Sequence, residues 1–485
     1  MSPRLFRIPR IPRLAVASAV VLLLAGCATV DIDQELGRIG QALPAGAAAP
    51  ASSLVLARDE AGRRERLQLA DRLLAAPLGQ DDAVRLALAH SSATQALLAQ
   101  YWADFAQAGQ SGAIPNPVLK FERVVMGTEV EIGRALSFGL LDLLTLPQRQ
   151  TVARERQAQM RLQMAGTVLE QAVAARQAWV RAVAAQQTLG YARQVQQAAD
   201  ASAELARRMQ QAGNFNRLQH ARQHAFYAEA TARLAAAQHA ATATREALVR
   251  QLGLDEAQAR RLQLPARLPE LPAQARTPES VAGAAREQRL DWQLARQELA
   301  QAGRAARLDL LQALVDTELT VLRPSTLDRA DGHGTRGRGW EVAIRLPVFD
   351  WGSLRTQQAD AQVLAAAHRY DAVVASASSQ LREGYSAYRT AWDLARHWRD
   401  EVVPLRRTIS EENLLRYNGM LIGVFDLLAD TREQIGSVMS AIDAQQQFWL
   451  ADAALSATLA GRPAMSLPAG GPPAAPSTAT PEAGH

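Results

Sequence analysis

Cysteine is all but absent, with Cys27 the only one in 485 residues. No disulfide can close within the chain. The residues after Cys27 hold neither a thiolate metal site nor a thiol nucleophile. Lysine is as scarce, since every one of the 53 basic residues except Lys120 is an arginine. Aromatic residues make up only 5%. After Cys27 no apolar run approaches the roughly 20 residues that a spanning helix needs. An Ala-rich stretch at 43–57 is interrupted by Pro44 and Pro50. These absences exclude a transmembrane helix beyond Cys27. A membrane crossing there would need a closed β-barrel, the other structure that satisfies its backbone groups in lipid.

The N-terminus is dense in signals. Arg4, Arg7, Arg10 and Arg13 precede an apolar run from Leu14 to Ala25, too short to span a bilayer. The run ends in Leu24-Ala25-Gly26-Cys27, which resembles the lipobox of bacterial lipoproteins. The resemblance implies a signal peptide at 1–26, cleavage before Cys27, and acylation of its thiol and new amine. Position 28 is Ala rather than Asp, which by the same resemblance favours the outer membrane.

The formal charge is +5. The arginines are dispersed among Glu, Asp and Gln at helical spacing, which reads as solvated helix faces and not as a nucleic-acid stripe. No nucleic-acid partner is expected.

The acylated N-terminus and leader, 27–79, reads as loosely structured. A helical pattern starts near Asp81-Asp82 and runs to about Gln110, where Ser111-Gly112 and Pro115-Asn116-Pro117 break it. Two alternating stretches follow, at 118–126 and 130–140. Leu119, Phe121, Arg123 and Val125 share one face of the first. Val130, Ile132, Arg134, Leu136, Phe138 and Leu140 share one face of the second. Met126-Gly127-Thr128-Glu129 is the hairpin turn. From Pro147 to about Gln211 the pattern is helical with almost no breakers. Gly213-Asn214 interrupts it, and a second helix reaches Leu252. This first repeat, 80–252, is followed by a Pro-rich connector at 253–278.

The same order then recurs in a second repeat, 279–462. A helix at 279–312 leads to a strand at 314–322, a polar loop at 324–338 and a strand at 340–348. A long helix at 352–416 is broken at Gly419, and a last helix reaches about Leu459. Leu141-Asp142 matches Phe349-Asp350 at an offset of 208, and Gly213 matches Gly419 at an offset of 206. Two nearly equal offsets point to an internal repeat. Residues 463–485 are rich in Pro, Ala, Gly and Ser and are expected to be disordered. Val363, Ala367, Tyr370, Val374, Ala377, Leu381, Gly384, Tyr388 and Ala391 step alternately by four and three, a supercoiling pattern. Helices of such length extend about 100 Å at 1.5 Å per residue, which suits a tube better than a globule.

Several motifs resemble the TolC-like outer membrane factor family, lipoprotein type. Asn116-Pro117-Val118-Leu119 is similar to its Asn-Pro-x-Leu start of the first strand. Leu346-Pro347-Val348-Phe349-Asp350-Trp351-Gly352 is similar to its strand-to-helix passage. Ala212-Gly213-Asn214 and Tyr417-Asn418-Gly419 resemble its two helical-hairpin tips, and Phe425-Asp426-Leu427-Leu428 the stretch after the second. The first repeat departs from the passage motif, with Gly139-Leu140-Leu141-Asp142-Leu143-Leu144 in its place.

The resemblance implies a mainly α fold with a small β-barrel contribution. A long coiled-coil helical tunnel would carry four strands per subunit, closing as a twelve-stranded barrel in a homotrimer. It implies an outer-membrane exit duct with a large periplasmic part. The partners would be an inner-membrane pump and a periplasmic adaptor (membrane fusion) protein docking at Gly213, Asn214, Asn418 and Gly419. A type I protein-secretion channel and a non-channel coiled-coil lipoprotein are the alternatives.

Arg123 and Arg134 fall on the faces read as outward, where each would cost about 2–4 kcal/mol at a bilayer midplane. Either they lie near an interface or the face assignment is shifted by one residue. Asp426 and Asp430 stand one turn apart and match an acidic ring at the family's constriction, with Asp430 one place late. A dipole-favoured acid at a helix N-terminus is the other reading. His220 and His224, also one turn apart, are weak metal-ligand candidates with no third ligand in view. Gly332, Gly334 and Gly337 formally match a dinucleotide fingerprint, but between two strands they lack the helix that gives it meaning. No nucleophile elbow, P-loop or supported carboxylate pair is present, so neither an enzyme nor a cofactor is expected.

Overall fold

A computed structural model describes residues 31–43, 54–314, 317–328, 330, 332–344 and 352–462. Cys27, the 346–351 part of the strand-to-helix motif and the 463–485 tail lie outside the described residues.

The leader is not loose. α1 (Ile32–Ala42) is capped by the Asp31 carboxylate, which accepts from the Asp33 and Gln34 amides. Ile32, Leu36 and Ile39 recur at helical spacing and are fully buried. Glu35, also buried, accepts from Arg161 at 2.8 Å. α2 (Glu60–Leu73) follows. α3 (Gln80–His90) and α4 (Ser92–Gln110) replace the single helix expected at 81–110, because Ser91 turns extended (ψ 125) between them. The turn has a tertiary cause. Gly253, left-handed at φ +68, lies so close that a Cβ there would stand 2.7 Å from the Ser91 Cα.

β1 (Val118–Met126) and β2 (Glu129–Gly139) form the expected hairpin, and a one-turn helix, α5 (Leu140–Leu144), makes the corner in the first repeat. α6 (Leu146–Gln211) has 66 residues, about 100 Å at helical rise. Pro147 sits in its first turn, where a missing N–H costs nothing. α7 (Arg217–Leu252) returns antiparallel to it. The Pro-rich connector is not a free linker. It contains α8 (Glu256–Arg261), and Leu262, Leu264, Leu268 and Leu271 are buried.

In the second repeat α9 (Pro278–Gln288) and α10 (Leu290–Leu314) again divide one expected helix. The break falls at Arg289, whose guanidinium is buried on Asp291 (2.6 Å) and on the Ala377 carbonyl (3.1 Å). β3 (Thr317–Leu322), β4 (Ser325–Asp328), β5 (Gly334–Arg336) and β6 (Gly339–Ile344) come next. The segment expected as a loop at 324–338 therefore carries two short strands. β2 pairs with β3 along one half and with β4 along the other, while β5 and β6 pair with β4 and β3. The six segments thus make a four-stranded antiparallel meander whose last two strands are each interrupted once. The Gly332-x-Gly334-x-x-Gly337 run is the hairpin at its far end.

α11 (Ser353–His397) and α12 (Val403–Asn418) are joined by one π-helical segment, Trp398–Val402, so the helix expected at 352–416 continues through a bulge. α13 (Val424–Leu459) closes the fold. α7 and α13 each have 36 residues, and α13 starts and ends 207 positions after α7 (217 to 424, 252 to 459). The repeat is therefore a repeat of structure.

Burial is concentrated at mid-length. Val168, Ala172, Ala175, Trp179, Val180 and Val183 of α6 meet α1, α3, α4 and the end of α7. A second cluster joins Tyr388, Trp392, Phe448, Leu455 and Leu459 to Val281. Further along the hairpins only Val195, Ala199 and Ala230 form a buried cluster, so the helices there stand as a thin layer.

Candidate functional site

The two ends of the molecule carry distinct chemistry. At the sheet end the register aligns side chains in rows. Leu119, Leu136, Val321 and Trp340 form one row across all four strands. Phe138, Leu319 and Val342 form the next toward the helices. Trp340 is 75% exposed and Phe121 70%, so this face has no cover among the described residues. The opposite face carries Lys120 near Glu318 (3.9 Å), Ser137 hydrogen-bonded to Thr320 (3.1 Å), and Glu341. Both outer edges, β1 and β6, have a partner on one side only among the described residues.

The same register resolves the position of the two arginines. Arg134 pairs with Phe121 and Arg123 with Ile132, so both stand on the apolar face and no one-residue shift applies. They begin where the two apolar rows end, on the side away from the helices. Leu143 and Leu144 of α5, both exposed, extend the apolar band at the helix side.

At the opposite end are two tips with one hydrogen-bond pattern. The Gly213 amide donates to Gln210 O and Asn214 to Met209 O. In the second tip Met420 donates to Tyr417 O and Leu421 to Arg416 O. Each donor and acceptor is displaced by 207, so the counterpart of Gly213 is Met420, not Gly419 as the sequence suggested. Both are left-handed, Gly213 at φ 76 and Met420 at φ 59. Met420 is the only described non-glycine residue with positive φ, and its side chain is 93% exposed. Left-handed backbone costs a residue with a Cβ roughly 1–2 kcal/mol. Met420→Gly should remove that strain and slow hydrogen exchange at residues 420 and 421 by about fivefold, the equivalent of about 1 kcal/mol. Unchanged or faster exchange would show that the tip stores no such strain.

The acidic candidates separate. Asp426 is exposed, and its carboxylate accepts from the Gly423 amide at 3.1 Å. It occupies the place of Gln219, which does the same for Asn216 in the first tip. Asp430 is buried, with Oδ2 lacking a partner. Its counterpart Gln223 is hydrogen-bonded to Ser202 at 2.9 Å. Nearby, hydrogen bonds from Arg207 and Arg208 hold the Glu204 carboxyl below the usual glutamate range.

Two contacts that the sequence reading missed tie the tips together. Phe215 stacks on Phe425 with centroids 4.3 Å apart. Arg432 pairs with Glu229 at 2.8 Å and lies over the Phe226 ring at 4.8 Å. In a chain so poor in aromatics, two phenylalanines beside the helix breaks were the available signal. His220 and His224 lie on α7 just beyond the first tip, with ring centroids 6.3 Å apart.

A long antiparallel helical hairpin pair, duplicated, with a four-stranded meander at one end is a specific architecture. The outer membrane channel CmeC of Campylobacter jejuni superposes on it with a TM-score of 0.63. The identity is 15%, covering 82% of this chain and 86% of that one. The chain has the TolC-like outer-membrane channel fold. The outer membrane protein VceC of Vibrio cholerae (TM-score 0.63, 17% identity) covers 78% of this chain over 95% of its own. The open-state MtrE outer membrane channel of Neisseria gonorrhoeae (TM-score 0.57, 19% identity) covers 82% over 89%. No protein-family profile and no curated protein sequence matches the chain. The channel fold is thus carried by geometry at identities where sequence comparison finds nothing.

Proposed function

We propose that this protein is the outer-membrane exit duct of a tripartite efflux system. Three copies close their meanders into one twelve-stranded barrel, and their helices form a periplasmic tunnel. The observation that carries this reading is the apolar row Leu119, Leu136, Val321 and Trp340. It crosses a sheet whose polar opposite face suits a water-filled lumen and whose two edges are open. An open edge in lipid leaves backbone groups unsatisfied, and three-fold closure removes every edge at once. The two apolar rows and the α5 leucines mark the hydrocarbon band, with Arg123 and Arg134 at its outer interface, where a charge costs little.

The duct is passive. An inner-membrane pump supplies the energy and a periplasmic adaptor docks at the tips, which comprise Gly213, Asn214, Asn418 and Gly419. Met420 and Leu421, 93% and 77% exposed, are the apolar contacts of that docking. Asp426 is the constriction residue, since it is the exposed member of the acidic pair. Three copies around an axis favour cations.

The lipid anchor at Cys27 fits the placement of α1. Arg161, which holds Glu35, is 15 residues into α6, about 22 Å from its sheet end. Leu43 packs beside Leu169 further along, so the N-terminus of α1 points toward the sheet. Asp31 then lies roughly 16 Å below the sheet end of α6. Asp31 therefore lies on the sheet side of α1, the side on which the proposed anchor meets lipid.

Purification from outer membranes should yield heat-modifiable trimers that conduct in planar bilayers. Cys27→Ala should keep conductance in reconstituted protein while losing acyl mass. A water-soluble, non-conducting rod after removal of the lipid would sink the channel reading. Growth of a deletion strain on drugs and metal salts, set against its secreted proteins, separates efflux from protein secretion.

A further inference from the structure

His220 and His224 stand one turn apart on α7, four and eight residues after its Asn216 cap. Tyr227 stacks on His224 at 6.1 Å and 22°, which steadies that ring. Neither imidazole has a hydrogen bond or ion pair with any described residue. His90 and His397, by contrast, are bound to Gln258 and Glu401, and what sets His220 and His224 apart from the remaining histidines is their pairing one turn apart.

We propose that His220 and His224 chelate one divalent transition-metal ion, copper(II) in preference to nickel(II) or zinc(II). Two imidazoles that share an ion at about 2.0–2.1 Å per nitrogen hold their centroids roughly 4.5 Å apart at the cis angle of a tetragonal copper(II) site and roughly 5.2 Å apart at a tetrahedral angle. The observed 6.3 Å is about 1–2 Å wider. Small side-chain rotations within one rotamer well close that gap. The ligand set defines the class of ion. No Asp or Glu occurs from Arg217 to Tyr227, so the hard cations calcium and magnesium find no carboxylate there. Imidazole nitrogens suit copper, nickel and zinc, and intrinsic affinity peaks at copper. No cluster of three or more His, Cys, Asp or Glu able to hold a metal occurs among the described residues. The ion therefore keeps water in its remaining positions and exchanges readily. The chelate spans the first turns of α7, beside the Phe215–Phe425 contact, and binding stiffens the first tip where it meets the second. This site does not depend on the channel reading.

The test is calorimetric titration of the full chain in detergent, without a polyhistidine tag, using copper(II), nickel(II) and zinc(II) chlorides. One ion per chain is expected, with copper tightest. His220→Ala and His224→Ala should each weaken binding about 100-fold, since each removes a ligand held at high effective concentration. His239→Ala, on the same helix but out of reach of the pair, should leave it unchanged. Circular dichroism checks that each variant keeps its helices. The proposal is overturned if the His220→Ala/His224→Ala double variant binds copper as the parent does. It is equally overturned if His239→Ala weakens binding as much, or if the parent shows no saturable copper binding.

Discussion

Val321→Arg should remove most of the heat-modifiable trimer from the outer membrane, whereas Glu341→Arg should leave it near the parent level. Val321 is exposed in the middle of the row formed by Leu119, Leu136 and Trp340. Glu341 lies on the opposite face, in register with Thr320. An arginine on the lipid face costs about 2–4 kcal/mol per chain at the midplane and less toward the interface, and three chains bear that cost in one barrel. On the lumen face the same side chain meets water. Because Val321 packs little within the chain, its replacement tests insertion separately from folding of the helices. Equal trimer levels for the two variants would mean that this face does not meet lipid.

Trp179→Ala should lower the stability of the helical body by about 3–5 kcal/mol, the usual range for removing a buried indole. Trp179 is 1% exposed at the centre of the larger core. Its Nε1 donates to the Leu78 carbonyl at 2.7 Å, which ties α6 to the turn before α3. The alanine variant leaves a cavity and a carbonyl without its donor. Trp179→Phe retains most of the apolar volume and should lose only about 1–3 kcal/mol, the cost of the orphaned acceptor. Urea unfolding followed by far-ultraviolet circular dichroism distinguishes them. A midpoint for Trp179→Ala equal to that of Trp179→Phe would show that the indole volume is not what holds the body together.

The helical hairpins and the meander were legible because their signals are local. Periodicity of 3.6 over 66 residues, period two in 118–126, and breakers at Gly213 and Gly419 need no knowledge of distant chain. The apolar face of the sheet was also legible from alternation, but whether Arg123 and Arg134 belong to it stayed open until the pairing register placed them there. The leader held a readable cap and an apolar stripe at Asp31, Ile32, Leu36 and Ile39, but 11 residues are too few to outweigh the surrounding Ala and Pro.

Long-range packing decided the rest. Ser91 and Arg289 break helices without glycine or proline, one under Gly253 and the other around a buried guanidinium. Asp426 and Asp430 look alike in sequence, yet one caps a helix and the other is buried. His220 and His224 look like surface residues, and only the fold shows that both rings are unengaged. The sequence by itself determined the long helices, the first β-hairpin and the tip breaks, and that this order occurs twice. Only the tertiary structure decided which polar groups are capped, buried or free. The physical reason is range. Backbone periodicity and turn chemistry act over a few residues, whereas burial and pairing depend on side chains brought together from far along the chain.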